Sequence, residues 1–249
     1  MIRRAGRAIV GTRWEAPAKR LYAALTGEKS YLYDYQTIAI MRRVLTPDAN
    51  AIDAGAFEGG MLRHLCRIAP RGHHLAFEPN PEKFKKLQAA FPGVRVLPYA
   101  LGERAGEVPF HRAIEHPALS GLRHRAKYWG ENEPTEEIRV PMETLDRVVP
   151  PDDPLAFVKV DVEGGELGLL QGGVGLLRRW RPVIVFESGL GGADYFETRP
   201  EAIYDLLAET IGLKVSLLGA WLDGAAPLSR QGFVDQFEEG RNYYFVAHP

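Results

Sequence analysis

The sequence predicts an α/β fold, a doubly wound and mostly parallel seven-stranded sheet with an antiparallel hairpin at its edge. Short apolar runs alternate with segments of helical periodicity between residues 49 and 188. Alternation at this spacing is typical of a parallel sheet with helices on both faces. The length of 249 residues suits one large domain.

The predicted elements follow in order along the chain. The strands are predicted at residues 49–53, 74–78, 94–97, 155–160 and 183–186. The helices are predicted at residues 30–46, 59–69, 81–91 and 165–180. Two final strands, 213–218 and 243–247, are expected to form the antiparallel hairpin, joined by a long loop.

Residues 103–150 interrupt this alternation. Residues 106–111 and 137–140 favour β structure, and a polar loop lies between them. A long loop inside a compact domain is usually functional, so we predict an inserted acceptor-binding loop at about residues 111–136. Its candidate contacts to an acceptor, including an acidic one such as a sugar phosphate, are Arg112, Ser120, Gly121, Arg123, Arg125 and Lys127.

The composition excludes several classes of protein. A net charge of -1 gives no reason to expect nucleic-acid binding. Neither an apolar run long enough to span a membrane nor a signal-peptide core is visible, so we expect a cytoplasmic protein. The single cysteine, Cys66, cannot form an intrachain disulfide and is expected to be a buried structural thiol.

The first 48 residues are expected to form a basic arm and a helical segment ahead of a catalytic domain at residues 49–249. Residues 1–30 carry seven basic side chains against two acidic ones. We interpret this arm as solvated, with weak contact to an anionic membrane surface as the alternative.

Four predicted strands end in acids at one edge of the sheet: Asp53, Glu78, Asp161 and Glu187. Ligands of open parallel sheets bind at that edge.

After Asp53, the small residues Gly55, Ala56 and Gly59 allow a ligand to approach the backbone. Phe57 replaces the second glycine of a dinucleotide fingerprint, and Asp53 would repel a pyrophosphate. A sulfonium cofactor with a cationic amino-acid tail, S-adenosylmethionine (SAM), tolerates this acid.

Two further positions fit such a cofactor. Glu78 lies 25 residues after Asp53, close to where an acid binds ribose hydroxyls in nucleotide-binding α/β domains. A carboxylate accepts two hydrogen bonds from a vicinal diol. Ala100 and Leu101 follow the third strand in a small-residue turn where an adenine can pack.

At these residues the sequence resembles the FkbM-type methyltransferase family. The motifs are Asp53–Gly59, then Glu78-Pro79-Asn80-Pro81, then Asp161-Val162-Glu163-Gly164, then the strand ending at Glu187. The resemblance spans residues 49–188 and implies a Rossmann-like fold, SAM as cofactor with Pro79 and Asn80 in its site, and O-methylation of a sugar, glycan or natural-product hydroxyl. Two positions depart from the family: Phe57 replaces an Asn and Gly165 an Ala.

Asp161, Glu163 and Glu187 are the candidate catalytic carboxylates. Together with Lys159 they are expected either to deprotonate an acceptor hydroxyl or to hold a divalent cation that lowers its pKa. Asp161 is expected nearest the transferring methyl group. His124 is a further candidate base, because neighbouring arginines favour its neutral form. We interpret Glu166 as a helix-dipole residue.

Two other functions stay open at this point. An NAD-dependent oxidoreductase would need the glycine fingerprint that Phe57 interrupts. A catalytically silent SAM-binding protein would keep Asp53 and Glu78 without transferring a methyl group. The sequence leaves the acceptor and the oligomeric state unknown.

Overall fold

Seven strands form the main sheet of the computed structural model, which describes residues 29–125 and 134–249. The strands of the described part are β1 (Ala51–Ala54), β2 (Leu75–Phe77), β3 (Arg95–Leu97), β4 (Ala100–Leu101), β5 (Gly106–Ala113), β6 (Thr135–Glu143), β7 (Phe157–Val160), β8 (Val183–Glu187), β9 (Lys214–Leu217) and β10 (Tyr244–His248). The main sheet has the order β3-β2-β1-β7-β8-β10-β9.

The α-helices of the same residues are α1 (Ser30–Val44), α2 (Gly60–Ile68), α3 (Pro81–Ala90), α4 (Leu145–Val148), α5 (Glu166–Gln171), α6 (Val174–Trp180), α7 (Pro200–Asp205), α8 (Leu218–Leu222) and α9 (Arg230–Glu238). A π-helical turn, Leu206–Ile211, continues α7. Short 3₁₀ turns occupy Pro117–Leu119 and Ala193–Phe196.

The predicted fold class is confirmed. Strands β3, β2, β1, β7 and β8 pair in parallel, whereas β10 is antiparallel to both of its neighbours. The antiparallel pair lies at the sheet edge as predicted, with β10 between β8 and β9. Alternate residues of each strand face opposite layers. In β7, Val158 joins the layer of α5–α7 and α9, and Phe157 joins that of α1–α3 and α8.

Two predictions about helices were wrong. The segment between β9 and β10 contains α8 and α9 and is not a loop; Ser229 caps α9 by accepting a hydrogen bond from the Gly232 amide at 3.0 Å. The helix predicted at 165–180 divides into α5 and α6. Its second half starts anew because the Asp146 carboxylate accepts hydrogen bonds from the Gly175 and Leu176 amides, at 2.9 and 2.8 Å.

The insertion between β3 and β7 contains a second sheet. Strands β5 and β6 pair antiparallel along their length, and β4 pairs in parallel with β6. Both strands reach further into the predicted polar loop than expected, since β5 runs to Ala113 and β6 starts at Thr135. The basic arm before residue 29, as well as Lys127 in the loop, lies outside the described residues.

Candidate active site

A central cavity, open to solvent, lies at the carboxyl ends of β1, β2, β3 and β7. The predicted site residues on its wall are Gly55, Glu78, Pro79, Asn80, Ala100, Leu101, Asp161 and Glu163. The predicted residues Asp53, Ala56, Gly59, Glu187 and His124 are not among those lining it. The inserted segment between residues 106 and 143 adds Phe110, Pro117, Ala118, Ser120, Gly121 and Leu122 to the wall.

Glycines shape the first loop of the central cavity. Gly55 has a φ of +77°, and a Cβ atom there would lie 1.8 Å from the carbonyl oxygen of Asp161. Only glycine permits this approach between the β1 and β7 exits. Gly59 has a φ of +75°, and a Cβ atom there would lie 2.4 Å from the ring of Phe91. Gly59 therefore lets the start of α2 pack on α3.

Phe57 occupies a backbone position that favours Asn, the residue that the family resemblance leads us to expect here. Its φ of +48° is left-handed, a conformation that costs most residues roughly 1–2 kcal/mol but that Asn adopts more readily. The Phe57 ring lines the central cavity and has the Lys83 ammonium 4.1 Å from its centroid. Lys83 in turn pairs with Glu58 at 2.5 Å. The cation–π contact holds the ring at the cavity wall.

Glu78 is fixed by two backbone amides at the end of β2. Its Oε2 accepts a hydrogen bond from the Phe57 amide at 2.8 Å, and its Oε1 accepts one from the Asn80 amide at 2.9 Å. Burial raises the pKa of this carboxyl, and the two amides oppose that rise. Each oxygen retains acceptor capacity, so the carboxylate is oriented for two more donors.

Lys159 lies between two carboxylates on one face of the sheet. It is opposite Asp53 in the β1–β7 register, with its Nζ 3.7 Å from Asp53 Oδ1 and 2.9 Å from Asp161 Oδ2. Burial acts to lower the pKa of Lys159, but the two carboxylates outweigh burial and raise it. Asp53 is 1% exposed, and burial raises its pKa to about 6 despite the lysine. Asp53 therefore acts as a partner of Lys159 inside the sheet.

Asp161 is the most strongly stabilised anion of the site. Its Oδ2 accepts hydrogen bonds from Lys159 Nζ at 2.9 Å and from Tyr244 Oη at 2.7 Å. Burial acts to raise the pKa of Asp161, but Lys159 and the hydrogen bonds of Glu187 and Tyr244 lower it to about 2. Burial and the neighbouring Asp161 charge raise the pKa of Glu187 well above its usual value. Asp161 and Glu187 are therefore a coupled pair, in which the pKa of Asp161 is lowered and that of Glu187 is raised.

Glu163 pairs with a buried arginine of the insertion. Arg125 Nη2 donates to Glu163 Oε2 and, at 3.1 Å, to the Leu119 carbonyl oxygen, while Nη1 donates to that of Gly191 at 2.9 Å. Burial and the Asp161 charge raise the pKa of Glu163 to about 7, although Arg125 opposes the rise. Arg125 is thus a clamp between the insertion and the cavity wall, and its charge is already paired.

Glu166 stabilises the turn that carries Asp161 and Glu163. It lies in the first turn of α5, as expected, and is 1% exposed. Its Oε1 accepts hydrogen bonds from the Val162 amide at 3.0 Å and the Gly164 amide at 3.1 Å. Burial raises the pKa of Glu166 to about 7. The side chain therefore acts on the turn more than on the helix dipole.

This geometry predicts opposite effects for two substitutions of Glu166. Glu166→Ala leaves two buried amides unpaired and is expected to lower the free energy of unfolding by about 3 kcal/mol. Glu166→Gln keeps an acceptor oxygen. A carboxyl whose pKa is raised in the folded state stabilises the protein at low pH, and this contribution to the free energy of unfolding is lost as the pH rises from 4.5 to about 7. Glu166→Gln is therefore expected to exceed the wild type in stability above that range, as urea unfolding at several pH values will show. A Gln variant as unstable as the Ala variant would contradict this role.

The remaining loop candidates mostly contact other protein side chains. His124 is exposed, faces the ring of His111 with centroids 5.8 Å apart, and is not among the residues that line the central cavity. Arg112 pairs with Glu82 and Glu136, and Arg123 lies over the Phe196 ring. Ser120 and Gly121 line the central cavity.

The carboxylates of the site are partnered by cations and hydrogen-bond donors. Across residues 29–125 and 134–249, no group of three or more His, Cys, Asp and Glu side chains is placed to hold a metal ion. The suggested divalent-cation site does not fit, because Lys159 and Arg125 occupy positions where a cation would bind Asp161 and Glu163.

Two other expectations have structural outcomes. Cys66 is a free, half-buried thiol whose pKa is raised by burial, consistent with an unreactive residue. In the part of the chain that the structure describes, no helix combines the length and apolar character needed to cross a membrane.

The fold and site define the class of protein to which this chain belongs. The fold is the Rossmann-like fold of methyltransferases: a seven-stranded doubly wound sheet with one antiparallel strand. Acids at the strand ends surround its central cavity. A family model described as the Methyltransferase FkbM domain matches residues 53–211. The chain therefore belongs to the FkbM methyltransferase family.

Solved structures are similar in fold. An FkbM methyltransferase from Methylobacillus flagellatus KT has a TM-score of 0.54 and 15% sequence identity. The match covers 98% of this chain and 57% of that one, so this chain spans just over half of its length. A SAM-dependent methyltransferase from Aquifex aeolicus has a TM-score of 0.46 and 13% identity, covering 89% of this chain and 92% of that one. No curated protein sequence matches this chain.

Proposed function

We propose that this chain binds SAM in the central cavity and transfers its methyl group to a hydroxyl of a sugar, glycan or natural product. The observation that carries the proposal is Glu78, whose carboxylate is fixed by the Phe57 and Asn80 amides at the strand end beside the cavity. Two oriented acceptor oxygens at this position suit the vicinal hydroxyls of a ribose.

The other walls of the central cavity suit the remaining parts of this cofactor. Ala100 and Leu101 are small or apolar and line the cavity at the β3 exit, where an adenine ring can pack. Asp161 is ionised throughout the physiological pH range and suits a cationic group. The glycine at position 55 keeps this passage open. When bound, SAM supplies an electrophilic methyl group on a sulfonium.

Glu163 is the proposed base. It lines the central cavity, and its pKa of about 7 places it near the pH at which a general base is most effective. The lowered pKa of Asp161 makes it a weak base, and Glu187 is not among the residues that line the central cavity. Arg125 holds the Glu163 side chain by one charge-assisted hydrogen bond. Glu163 takes the proton of the acceptor hydroxyl, and Asp161 orients the cationic cofactor.

Methyl transfer from labelled SAM to a panel of sugars, sugar phosphates and phenols tests this proposal. We expect labelled product with at least one hydroxylated acceptor, and activity that rises with pH through about 7, as Glu163 loses its proton. Glu163→Gln is expected to lower kcat by about 100-fold and to flatten the pH dependence.

Glu238→Gln is the matched control, because Glu238 is exposed on α9 and does not line the central cavity. Its activity should stay within about twofold of the wild type. Binding of the product S-adenosylhomocysteine (SAH) without transfer to any acceptor would instead support a silent SAM-binding protein. An unchanged pH profile in Glu163→Gln would remove Glu163 as the base.

A further inference from the structure

The insertion presents an apolar surface to the central cavity. Four side chains supply this apolar wall: Phe110, Pro117, Ala118 and Leu122. Among the described insertion residues that line the cavity, Ser120 has the polar side chain, and its hydroxyl is already engaged. It donates to the Pro117 carbonyl oxygen at 2.8 Å and accepts from the Ala113 amide at 3.1 Å. A ligand that touches the insertion therefore meets an apolar surface.

The apolar wall lies directly beside the proposed base. A Cβ atom at Gly121 would lie 3.2 Å from Glu163 Cβ, so the insertion backbone approaches this residue closely. Gly121 is fixed there by two backbone hydrogen bonds with His111, at 2.8 and 3.1 Å. Leu122 follows Gly121 on the cavity wall. A hydroxyl group that donates to Glu163 therefore has the rest of its molecule next to the apolar wall.

The charges of the central cavity disfavour an anionic acceptor. Three carboxyl groups line it, those of Glu78, Asp161 and Glu163, and no lysine, arginine or histidine is among the described residues on its wall. The nearby arginines of the insertion have protein partners, since Arg112 pairs with two glutamates and Arg125 pairs with Glu163. A phosphate or carboxylate would lose its hydration here without gaining a cationic partner from the described residues of the wall.

The proposed base suits a weakly acidic hydroxyl. The pKa of Glu163 is about 7. A phenol has an ordinary pKa of about 10, whereas an aliphatic alcohol is nearly as weak an acid as water, whose pKa is about 15.7. Proton transfer to Glu163 is therefore less unfavourable from a phenol than from a sugar hydroxyl. A phenol ring also packs well on apolar and aromatic side chains such as Leu122 and Phe110.

We propose that the acceptor is an uncharged phenol, whose ring packs on the apolar wall while its hydroxyl donates to Glu163. The inference rests on the proposed function and narrows its acceptor class. The phenol proton passes to Glu163, and the phenol oxygen forms a bond to the methyl carbon of SAM. The carbon–sulfur bond breaks with its electron pair on sulfur, which leaves SAH and an aryl methyl ether. Glu163 then releases its proton to solvent.

Two probes that share one ring test the charge of the acceptor: para-hydroxybenzoate, an anion, and its uncharged methyl ester. Transfer of label from SAM to each is measured with the full chain, and a neutral methyl glycoside is the third probe. We expect kcat/KM for the ester to exceed that for the acid by about tenfold or more, because the carboxylates of the cavity repel the acid. The glycoside is expected to react more slowly than the ester.

Leu122→Ser tests the apolar wall. It is expected to raise KM for the ester about tenfold, because the ring loses an apolar contact, while calorimetry shows an unchanged SAH affinity. Ile114→Ser is the matched control and should leave KM unchanged, because Ile114 belongs to the same insertion, is 50% exposed and does not line the central cavity.

Ala118→Lys is a second variant if Leu122→Ser fails to fold. Ala118 is exposed at the cavity wall, so a lysine there adds a cation without replacing a buried side chain. The variant is expected to bring kcat/KM for the acid to within about threefold of that for the ester.

The inference is overturned if the acid or the glycoside is the better acceptor, if neither phenol is methylated, or if KM for the ester is unchanged in Leu122→Ser. A loss of SAH affinity in Leu122→Ser would show that Leu122 contacts the cofactor and would also overturn it. If the wild-type chain binds SAH and methylates another hydroxyl, the proposed function survives and only the acceptor class is wrong. A chain that binds no SAH would refute the proposed function as well.

Discussion

Replacing Glu78 with alanine is expected to weaken SAH binding by about 100-fold. The carboxylate offers two oriented oxygens to the ribose hydroxyls, and hydrogen bonds to a charged group contribute about 1.5–3 kcal/mol each, where 1.4 kcal/mol is tenfold in affinity. The substitution also leaves the Phe57 and Asn80 amides without their acceptor. Isothermal titration calorimetry of the folded variant, checked by thermal unfolding, measures the loss.

Glu82→Ala is the matched control for Glu78. Glu82 belongs to the first turn of α3, is exposed, and pairs with Arg112 away from the wall of the central cavity. Its removal is expected to change SAH affinity by less than about twofold, because an exposed ion pair contributes little. A folded Glu78→Ala protein with the affinity of the control would show that the cofactor is bound elsewhere.

Asp161→Asn is expected to cost both activity and stability. The substitution removes the anion that accepts from Lys159 and Tyr244, and leaves a buried ammonium with Asp53 as its remaining carboxylate partner at 3.7 Å. Breaking a buried ion pair from one side costs about 3–5 kcal/mol of unfolding free energy. Methyl transfer is expected to fall by about 100-fold, because the cationic cofactor loses an ionised partner.

A double variant separates the two effects. Lys159→Met together with Asp161→Asn removes the unpaired ammonium, and Asp53 then stays neutral because burial raises its pKa. Urea unfolding is expected to show that the double variant recovers most of the lost stability, while labelled-SAM assays show no recovery of transfer. If the double variant regained activity, Asp161 would be a structural partner of Lys159 alone.

The strand-end acids could be predicted from the sequence because their position depends only on strand order. Parallel strands bring their carboxyl ends to one edge, and Glu78 and Asp161 line the central cavity because β2 and β7 flank β1. Asp53 follows the same pattern in sequence, yet it lies one residue inside β1, which continues to Ala54, and it faces Lys159. The predicted strand ended at Asp53, so the prediction placed this acid one residue too close to the edge.

Contacts between distant segments could not be predicted in this way. Tyr244 is 83 residues from Asp161, and their hydrogen bond depends on β10 pairing between β8 and β9. The sequence predicted that Arg125 would bind an acidic acceptor. Instead it forms an ion pair with Glu163, 38 residues away, a partner that the local charge pattern does not reveal. The short helix α8 gives little periodicity to detect.

Calorimetric titration of the full chain with SAH, and separately with NAD, tests the central claim most directly. The account predicts that SAH binds at one site per chain and that NAD does not bind, because Phe57 interrupts the glycine fingerprint and strand-end acids surround the loop. Binding of NAD without binding of SAH would contradict it and favour an oxidoreductase.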